Sequence, residues 1–323
     1  MNYKKIVVVG GGILGSQIAF QSAYCGVDVT ILIRKEDSKE SVLEKLEKLH
    51  NTYIDTINQM AKEGIKSVNW ARGISESENF NKDELIDKVN KAYQSIVIET
   101  EQEIALKNTD LVIESITENI DVKIALYKQI APLLEEKTVV VTNSSTLLPS
   151  KLATYTGRKE KFLAMHFANS IWKNNITEIM GHSGTDQKYF DEVVEFSKKI
   201  NMIPLVAKEE KSGYILNSML VPFLLSAMDL VANGVSDPET IDKAWTLGTG
   251  APKGPFQIID TVGLETARNI VLQYQKVPNI FDPLLKKMML PYNYDAMLDI
   301  LNKYIEEGKI GKSVNEGFYK YDL

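Results

Sequence analysis

The stretch IVVVGGGILG, residues 6–15, decides how the chain folds. Its apolar run at 6–9 is typical of a strand buried on both faces of a sheet. The glycines that follow fit the pattern G-x-G-x-x-G, and residues 16–24 have helical apolar spacing. In such a strand–turn–helix the second glycine lets a pyrophosphate approach the backbone, while the helix N-terminus presents free N–H donors. We therefore predict a dinucleotide cofactor, rather than a turn used only for packing, at Gly10, Gly12, Ile13, Leu14 and Gly15.

Further apolar runs extend this unit into an α/β domain. They cover residues 29–33, 95–100, 110–114, 138–142 and 162–166, with a possible further strand at 203–206. Strands that alternate with helical patterns indicate βαβ units and a mostly parallel sheet. The charged region 34–91 is long for a simple crossover, and its stripe of Leu46, His50, Tyr53, Ile57 and Met60 predicts a helical insertion.

The pattern changes from about residue 208, where helical spacing dominates. Helices are predicted at 214–233, 238–246, 264–275 and 294–307, separated by Pro-Gly punctuation at 251–255. We therefore predict a Rossmann-type doubly wound, mostly parallel sheet with a helical insertion in residues 1–207. An all-helical domain for substrate binding and dimerisation is predicted in residues 208–323.

Composition narrows the function classes. The chain has 323 residues, 44% of them hydrophobic, and a net charge of −6, which argues against sequence-independent nucleic-acid binding. The single cysteine, Cys25, excludes an intrachain disulfide and a thiolate-rich metal site, and it fits a reducing compartment. The uncharged stretch 212–228 contains Asn217 and Pro222 and is better interpreted as a buried helix than as a membrane span. We expect a cytoplasmic protein with no nucleic-acid partner, no membrane partner and no metal.

The end of the second strand bears on the choice of cofactor. NAD enzymes usually carry an acid there for the ribose hydroxyls, whereas this chain reads Ile-Leu-Ile-Arg-Lys at 31–35. Arg34 is able to stack on adenine and pair with a 2′-phosphate. The alternative is two solvated charges that are neutral to the choice. The cofactor is thus predicted to be NAD or NADP, with a lean towards NADP.

Polar residues follow the predicted strands at the edge where α/β sheets bind their ligands. Asn143, Ser144 and Ser145 come after one strand, and His166 ends the next. Glu178 lies twelve residues further on, and Asn217 begins the long helix of the second domain. A histidine held by a carboxylate, beside a hydroxyl and an amide, suits proton transfer to or from an alcohol. Structural roles, such as serine caps or a solvated histidine, are the alternative.

Several segments resemble the L-3-hydroxyacyl-CoA dehydrogenase family along nearly the whole chain. They are GGGILGSQIA, DLVIESITEN, TNSSTLLPS, HFAN, GYILNSMLVP, GTGAPKGPF, DTVGL and EGFYKY. The likeness is greatest to the diketoreductase-like branch, through NSSTLLPS and TGAPKGPF. The resemblance implies reversible hydride transfer between a nicotinamide and a 3-hydroxy/3-oxo carbon, a setting in fatty acid metabolism, and a homodimer formed through the helical domain.

The resemblance also implies roles for single residues. His166 is the general acid/base, Glu178 orients its imidazole, Ser145 hydrogen-bonds the substrate oxygen, and Asn217 completes the substrate cradle. Glu118, Lys123 and Asn169, together with Asn143, are expected near the nicotinamide-ribose end of the cofactor.

The chain also departs from the family pattern. The family commonly has His-Phe-Phe-Asn-Pro where this chain reads HFANSIW, residues 166–172. Trp172 is predicted to reshape the acyl pocket, with core packing as the alternative. The substrate is then a CoA thioester, a free 3-oxo acid, a 3,5-dioxo ester or a gulonate-type sugar acid. A non-catalytic role like that of a lens crystallin is the alternative from another class.

Overall fold

The computed structural model of the chain describes residues 3–64, 67, 70–275 and 292–321. The chain divides into two compact units, Met1–Ile215 and Leu216–Leu323. The boundary predicted from sequence, between residues 207 and 208, follows the last strand of the first unit.

The first unit is built on one eight-stranded sheet. Its strands are β1 Lys5–Val9, β2 Asp28–Leu32, β3 Val97–Glu99, β4 Leu111–Glu114, β5 Val139–Thr142, β6 Phe162–Phe167, β7 Ile176–Met180 and β8 Ile203–Ala207. Their spatial order is β3-β2-β1-β4-β5-β6-β7-β8, and neighbouring strands run parallel except for the antiparallel pair β6–β7. The order reverses at β1, which makes the sheet doubly wound and confirms the predicted fold class.

Helices cover both faces of this sheet. They are α1 Ile13–Tyr24, α2 Lys39–Glu63, α3 Lys82–Ser95, α4 Gln102–Leu106, α5 Ile120–Ile130, α6 Pro149–Leu152 and α7 Gln187–Lys199. The helices α2 and α3 form the predicted insertion. Four members of the predicted stripe are buried on α2, namely Leu46, Tyr53, Ile57 and Met60.

The strand β7 was not predicted from the sequence. It pairs antiparallel with β6 so that His166 lies directly opposite Glu178. Because paired residues in a two-stranded ladder point to the same face, this register brings the carboxylate and the imidazole together. Glu178 in the middle of this short segment breaks its apolar pattern, so the sequence alone does not predict a strand here.

The second unit is helical in its described part, as predicted. Its helices are α8 Leu216–Ala232, α9 Pro238–Thr249, α10 Pro255–Val262, α11 Leu264–Gln275 and α12 Tyr294–Glu306. Their shared core includes Leu225, Phe256 and Met297. The helix α10 was not predicted, because the Pro-Gly run before it was interpreted only as a break. Among the described residues, every helix is too short or too polar to cross a bilayer.

Candidate active site

The glycine loop between β1 and α1 is shaped for a close backbone approach. Gly10 has φ +110°, and a Cβ there would lie 2.5 Å from the Ser115 carbonyl oxygen. A Cβ on Gly15 would lie 2.0 Å from the Gly10 carbonyl oxygen, so both positions require glycine for packing. Gly12 faces open space instead and, as the N-cap of α1, offers no capping side chain. The first-turn N–H groups of α1 are therefore available to an anion, and the loop fits a dinucleotide pyrophosphate.

A cleft of about 770 Å³ opens beside this loop. It is lined by the loop glycines, by Leu32 at the end of β2 and Ile33 just after it, and by side chains of the first turns of α2. Ile33 is buried in the core, so the position after β2 presents no carboxylate. Arg34 is exposed and lines the cleft together with Lys45. One carboxylate, Asp37, shares the lining.

Three predicted site residues form one hydrogen-bonded chain. Ser145 Oγ lies 3.1 Å from His166 Nε2, and His166 Nδ1 lies 3.1 Å from Glu178 Oε2. The second carboxylate oxygen, Glu178 Oε1, accepts a hydrogen bond of 2.8 Å from the Ile215 backbone amide. His166 and Glu178 are both buried. This arrangement holds the imidazole between a hydroxyl and an anchored carboxylate, which is the geometry of a proton-transfer relay.

A second network fixes the loop that carries Ser145. Glu118 Oε1 accepts hydrogen bonds from Ser144 Oγ at 2.6 Å, and from the Thr146 amide and Thr146 Oγ1 at 2.8 Å each. Burial alone would raise the pKa of Glu118, but these hydrogen bonds and the Lys123 ammonium outweigh it, so the pKa is lowered. Glu118 is thus held as a carboxylate at the base of the loop.

Lys123 lies beneath this loop and is almost fully buried. Its Nζ lies 2.6 Å from Glu114 Oε1 and 3.6 Å from Glu118 Oε2. Glu114 also accepts hydrogen bonds from Tyr127 and Thr142. Glu114 was not singled out from the sequence, although an acid that ends the apolar run DLVIE is the available signal. A buried lysine needs such a partner, because an unpaired buried charge is costly.

The remaining predicted residues have different surroundings. Asn143 joins two strand ends, since its Oδ1 accepts a hydrogen bond from the Phe167 amide at 2.9 Å. Asn169 is exposed just beyond β6. Trp172 packs against Tyr53 of α2 at a ring separation of 5.5 Å, within the core on that side of the sheet. This placement favours the packing interpretation of Trp172. Asn217 is the second residue of α8 in the other unit, and its contact with substrate stays a prediction.

Two family models match the chain along almost its whole length. Residues 5–210 match the model described as 3-hydroxyacyl-CoA dehydrogenase, NAD binding domain. Residues 213–321 match the model described as 3-hydroxyacyl-CoA dehydrogenase, C-terminal domain. The first match covers the glycine loop and the Ser145–His166–Glu178 chain.

Known proteins of similar length also align with the chain. Human mitochondrial hydroxyacyl-coenzyme A dehydrogenase is 32% identical over 98% of this chain and 91% of its own length. A 3-hydroxybutyryl-CoA dehydrogenase from Clostridioides difficile is 28% identical over 98% of this chain and 99% of its own length. Among solved structures, a diketoreductase described as acting on dicarbonyl compounds is 40% identical with a TM-score of 0.81, covering 99% of this chain and 100% of that one.

Proposed function

The chain belongs to the 3-hydroxyacyl-CoA dehydrogenase family and is a hydroxyacyl oxidoreductase with a nicotinamide cofactor of the NAD type, and we propose that His166 is its general acid/base in the interconversion of 3-hydroxyacyl and 3-oxoacyl compounds. The observation that carries this role is the hydrogen-bonded chain Ser145–His166–Glu178. All four residues proposed for the chemistry, including Asn217, are present, which argues against a purely structural, crystallin-like protein.

The direction of proton transfer follows from the hydrogen bonds. Glu178 accepts from Nδ1–H, so in the neutral ring Nε2 carries the lone pair and faces the Ser145 hydroxyl. The bound nicotinamide supplies or removes the hydride. In oxidation, neutral His166 takes the hydroxyl proton at Nε2, and in reduction the imidazolium donates it to the forming alkoxide. Glu178 orients the ring and stabilises its cation, Ser145 hydrogen-bonds the substrate oxygen, and Asn217 remains a predicted substrate contact.

The test of this function is turnover with a panel of 3-oxo compounds for reduction and a 3-hydroxy acid for oxidation. Acetoacetyl-CoA, a 3,5-dioxo ester and gulonate are assayed by the change in nicotinamide absorbance. We expect the highest kcat/KM with a 3-hydroxyacyl or 3-oxoacyl compound. Oxidation of gulonate alone would favour the sugar-acid alternative, and no turnover of any panel member would favour the structural one.

A dicarbonyl substrate is the second candidate. The likeness to a diketoreductase at 40% identity favours it, together with the HFANSIW segment at 166–172. A dioxo ester that outperforms acetoacetyl-CoA by kcat/KM would support this candidate. The reverse order would support a CoA thioester and fatty acid metabolism.

We further propose that the cofactor preference leans towards NADP. Ile33 is buried and leaves no carboxylate for the ribose directly after β2, while Arg34 and Lys45 line the cleft. A guanidinium in this position is suited to a 2′-phosphate. Asp37 in the same lining is the feature that opposes the preference.

Replacement of Arg34 tests the cofactor proposal. We expect Arg34→Ala to lower kcat/KM with NADPH by roughly tenfold, because one charge-assisted contact is lost, and to leave kcat/KM with NADH nearly unchanged. Lys35→Ala is the matched control, since Lys35 is also exposed but does not line the cleft. A wild-type preference for NADH of about tenfold or more would contradict the proposal.

A homodimer formed through the second unit and a cytoplasmic location complete the proposal. Large apolar side chains are exposed on the second unit, with Leu247 at 84%, Val235 at 66% and Met219 at 62%. Such exposure supports a protein–protein contact. A light-scattering mass of one chain at micromolar concentration would refute the dimer. The free thiol of Cys25 supports a reducing compartment.

A further inference from the structure

Tyr214 is in direct contact with the proposed proton relay, although the sequence did not single it out. Its ring stacks on the His166 imidazole, with centroids 4.7 Å apart and planes inclined by 14°. Its hydroxyl donates a hydrogen bond of 2.8 Å to the Ser144 carbonyl. The side chain is buried. One residue therefore touches both the histidine and the loop that presents Ser145.

The backbone at this point is held in a conformation that side chains disfavour. Gly213 has φ +80° and Tyr214 has φ +51°, so two successive residues are left-handed. A non-glycine residue persists there only where its surroundings fix it, and such positions cluster at functional sites. The next amide, that of Ile215, donates to Glu178 Oε1, while Glu178 Oε2 lies 3.1 Å from His166 Nδ1.

The hydrogen bonds of His166 do not prevent its imidazole ring from tilting. The hydrogen bonds at Nδ1 and Nε2 fix the direction of the imidazole, but they do not stop the ring from tilting about the line that joins the two nitrogens. A flat aromatic ring over one face blocks that tilt. Proton transfer depends on alignment between Nε2 and the substrate oxygen, so the tilt bears directly on rate.

We propose that Tyr214 is a positioning residue for proton transfer: its ring fixes the plane of the His166 imidazole, and its hydroxyl and the following amide hold the Ser144 carbonyl and Glu178 around that ring. This inference rests on the proposed acid/base role of His166. Tyr214 acts through the histidine and takes no part in the chemistry itself.

Tyr24 provides a matched comparison in the same unit. It is also buried, its hydroxyl also donates to a backbone carbonyl, that of Ile74 at 3.0 Å, and its ring also contacts an aromatic ring, that of Tyr53. Among the described residues, Tyr24 makes no contact with Ser145, His166 or Glu178. Loss of its side chain therefore measures what a buried, hydrogen-bonded tyrosine contributes away from the proposed relay.

The test separates the ring from the hydroxyl. Tyr214→Phe keeps the stack, Tyr214→Leu removes it, and Tyr214→Met replaces the ring volume with a flexible chain in case the leucine variant does not fold. With the best substrate of the panel, we expect Tyr214→Leu and Tyr214→Met to lower kcat by roughly 10- to 100-fold, a misalignment effect. The KM for the cofactor should stay within about twofold, because the glycine loop is untouched. Tyr214→Phe should lower kcat much less than either variant, because the stack remains and one hydrogen bond to Ser144 is lost.

The outcomes divide cleanly. Wild-type kcat in Tyr214→Leu or Tyr214→Met would overturn the inference, and so would an equal loss of kcat in Tyr24→Leu. A loss in Tyr214→Phe as large as in Tyr214→Leu would overturn the role of the ring. If His166→Gln retains turnover, the proposed function itself fails; if His166→Gln is inactive while Tyr214→Leu is active, only this inference fails.

Discussion

In the first unit the buried carboxylates accept hydrogen bonds chiefly from other side chains, whereas in the second unit they accept them chiefly from backbone amides. Glu178 faces His166, and Glu114 faces Lys123, Tyr127 and Thr142. In the second unit Asp260 accepts from the amides of residues 318 and 319. The same chemical group thus holds side chains in one unit and chain segments in the other.

The aspartates of the second unit explain two of the sequence segments that carry the family likeness. Asp242 accepts from the Phe256 and Gln257 amides, at 2.8 and 3.0 Å, and so caps α10. A Cβ on Gly254 would lie 2.3 Å from Asp242 Cγ, and a Cβ on Gly317 would lie 2.2 Å from Asp260 Oδ1. Gly254 of GTGAPKGPF and Gly317 of EGFYKY therefore make room for buried carboxylates, and their role is structural.

The difference lies in what each carboxylate's partners are able to do. A backbone amide keeps its proton, so an aspartate bound to amides holds a segment in place and nothing more. A histidine exchanges its proton, so a glutamate bound to it affects chemistry. We expect substitutions in the first set to change turnover and substitutions in the second set to change stability.

The largest expected effect is on turnover. His166→Gln and Glu178→Gln should each lower kcat by about 10²- to 10⁴-fold, the usual contribution of general acid/base catalysis. Cofactor affinity should stay nearly constant, because the glycine loop is not involved. Steady-state kinetics and cofactor fluorescence titration measure the two quantities.

His50→Gln is the control for that substitution. His50 lies on α2 and hydrogen-bonds Asn90 at 2.8 Å, away from the proposed relay. It should retain wild-type kcat. Near-full turnover in His166→Gln would contradict the proposed mechanism and remove the contrast between the two units.

The next largest effect is on stability. Asp260→Ala leaves the Phe318 and Tyr319 amides and the Tyr321 hydroxyl without their acceptor. The free energy of unfolding should fall by about 2–4 kcal/mol, since each unsatisfied group costs about 1–3 kcal/mol and water recovers part of it. Urea unfolding measures the loss.

Asp299→Ala is the control for Asp260→Ala, because Asp299 is exposed on α12. Its effect should stay within about 0.5 kcal/mol. Cofactor affinity should be unchanged in both variants. If Asp260→Ala matches Asp299→Ala in stability, then the buried aspartates of the second unit do not hold its chain segments as the contacts indicate.

Local patterns were sufficient to predict most of the sheet, because six strands lie in short, mostly apolar runs and the glycine loop has a fixed spacing. The strand β7 was missed because Glu178 interrupts its apolar run. Only the register with β6 shows that Glu178 is paired with His166. The helix α10 was missed because Pro255, its first residue, is also typical of a turn that ends a helix. Proline is favoured at that position, since its missing N–H has no helical partner there.

In the candidate site, too, some residues were predicted from local patterns and others depend on contacts made by the fold. Ser145, His166 and Glu178 were predicted together, and the structure places them in one hydrogen-bonded chain. Glu114 and Tyr214 were not predicted, because their importance depends on partners remote in sequence or on a left-handed backbone. The acid that ends DLVIE is a local signal for Glu114, but its hydrogen bonds to Tyr127 and Thr142 depend on the fold. A left-handed tyrosine has no local pattern, since non-glycine residues are rarely left-handed.

The smallest expected effect is on the pH dependence of stability, where two carboxylates should act in opposite directions. Hydrogen bonds and Lys123 outweigh burial and lower the pKa of Glu118. Its stabilisation is therefore complete above the unfolded-chain value of about 4.3 and is lost as pH falls through the folded value. Burial, reinforced by nearby Asp242, outweighs the hydrogen bonds of Asp260 and raises its pKa. Its contribution is complete below about 3.9 and is lost as pH rises through the folded value.

Two charge-removing variants measure these opposite signs. The difference in unfolding free energy between wild type and Glu118→Gln should shrink as pH falls below about 4.3. For Asp260→Asn the pH dependence should be opposite: the free energy of unfolding of wild type should fall relative to that of the variant as pH rises from about 3.9. Urea unfolding of all three proteins across this range gives both curves. Parallel curves would contradict this prediction. They would mean that folding shifts the pKa values of Glu118 and Asp260 in the same direction, although the two carboxylates have different partners.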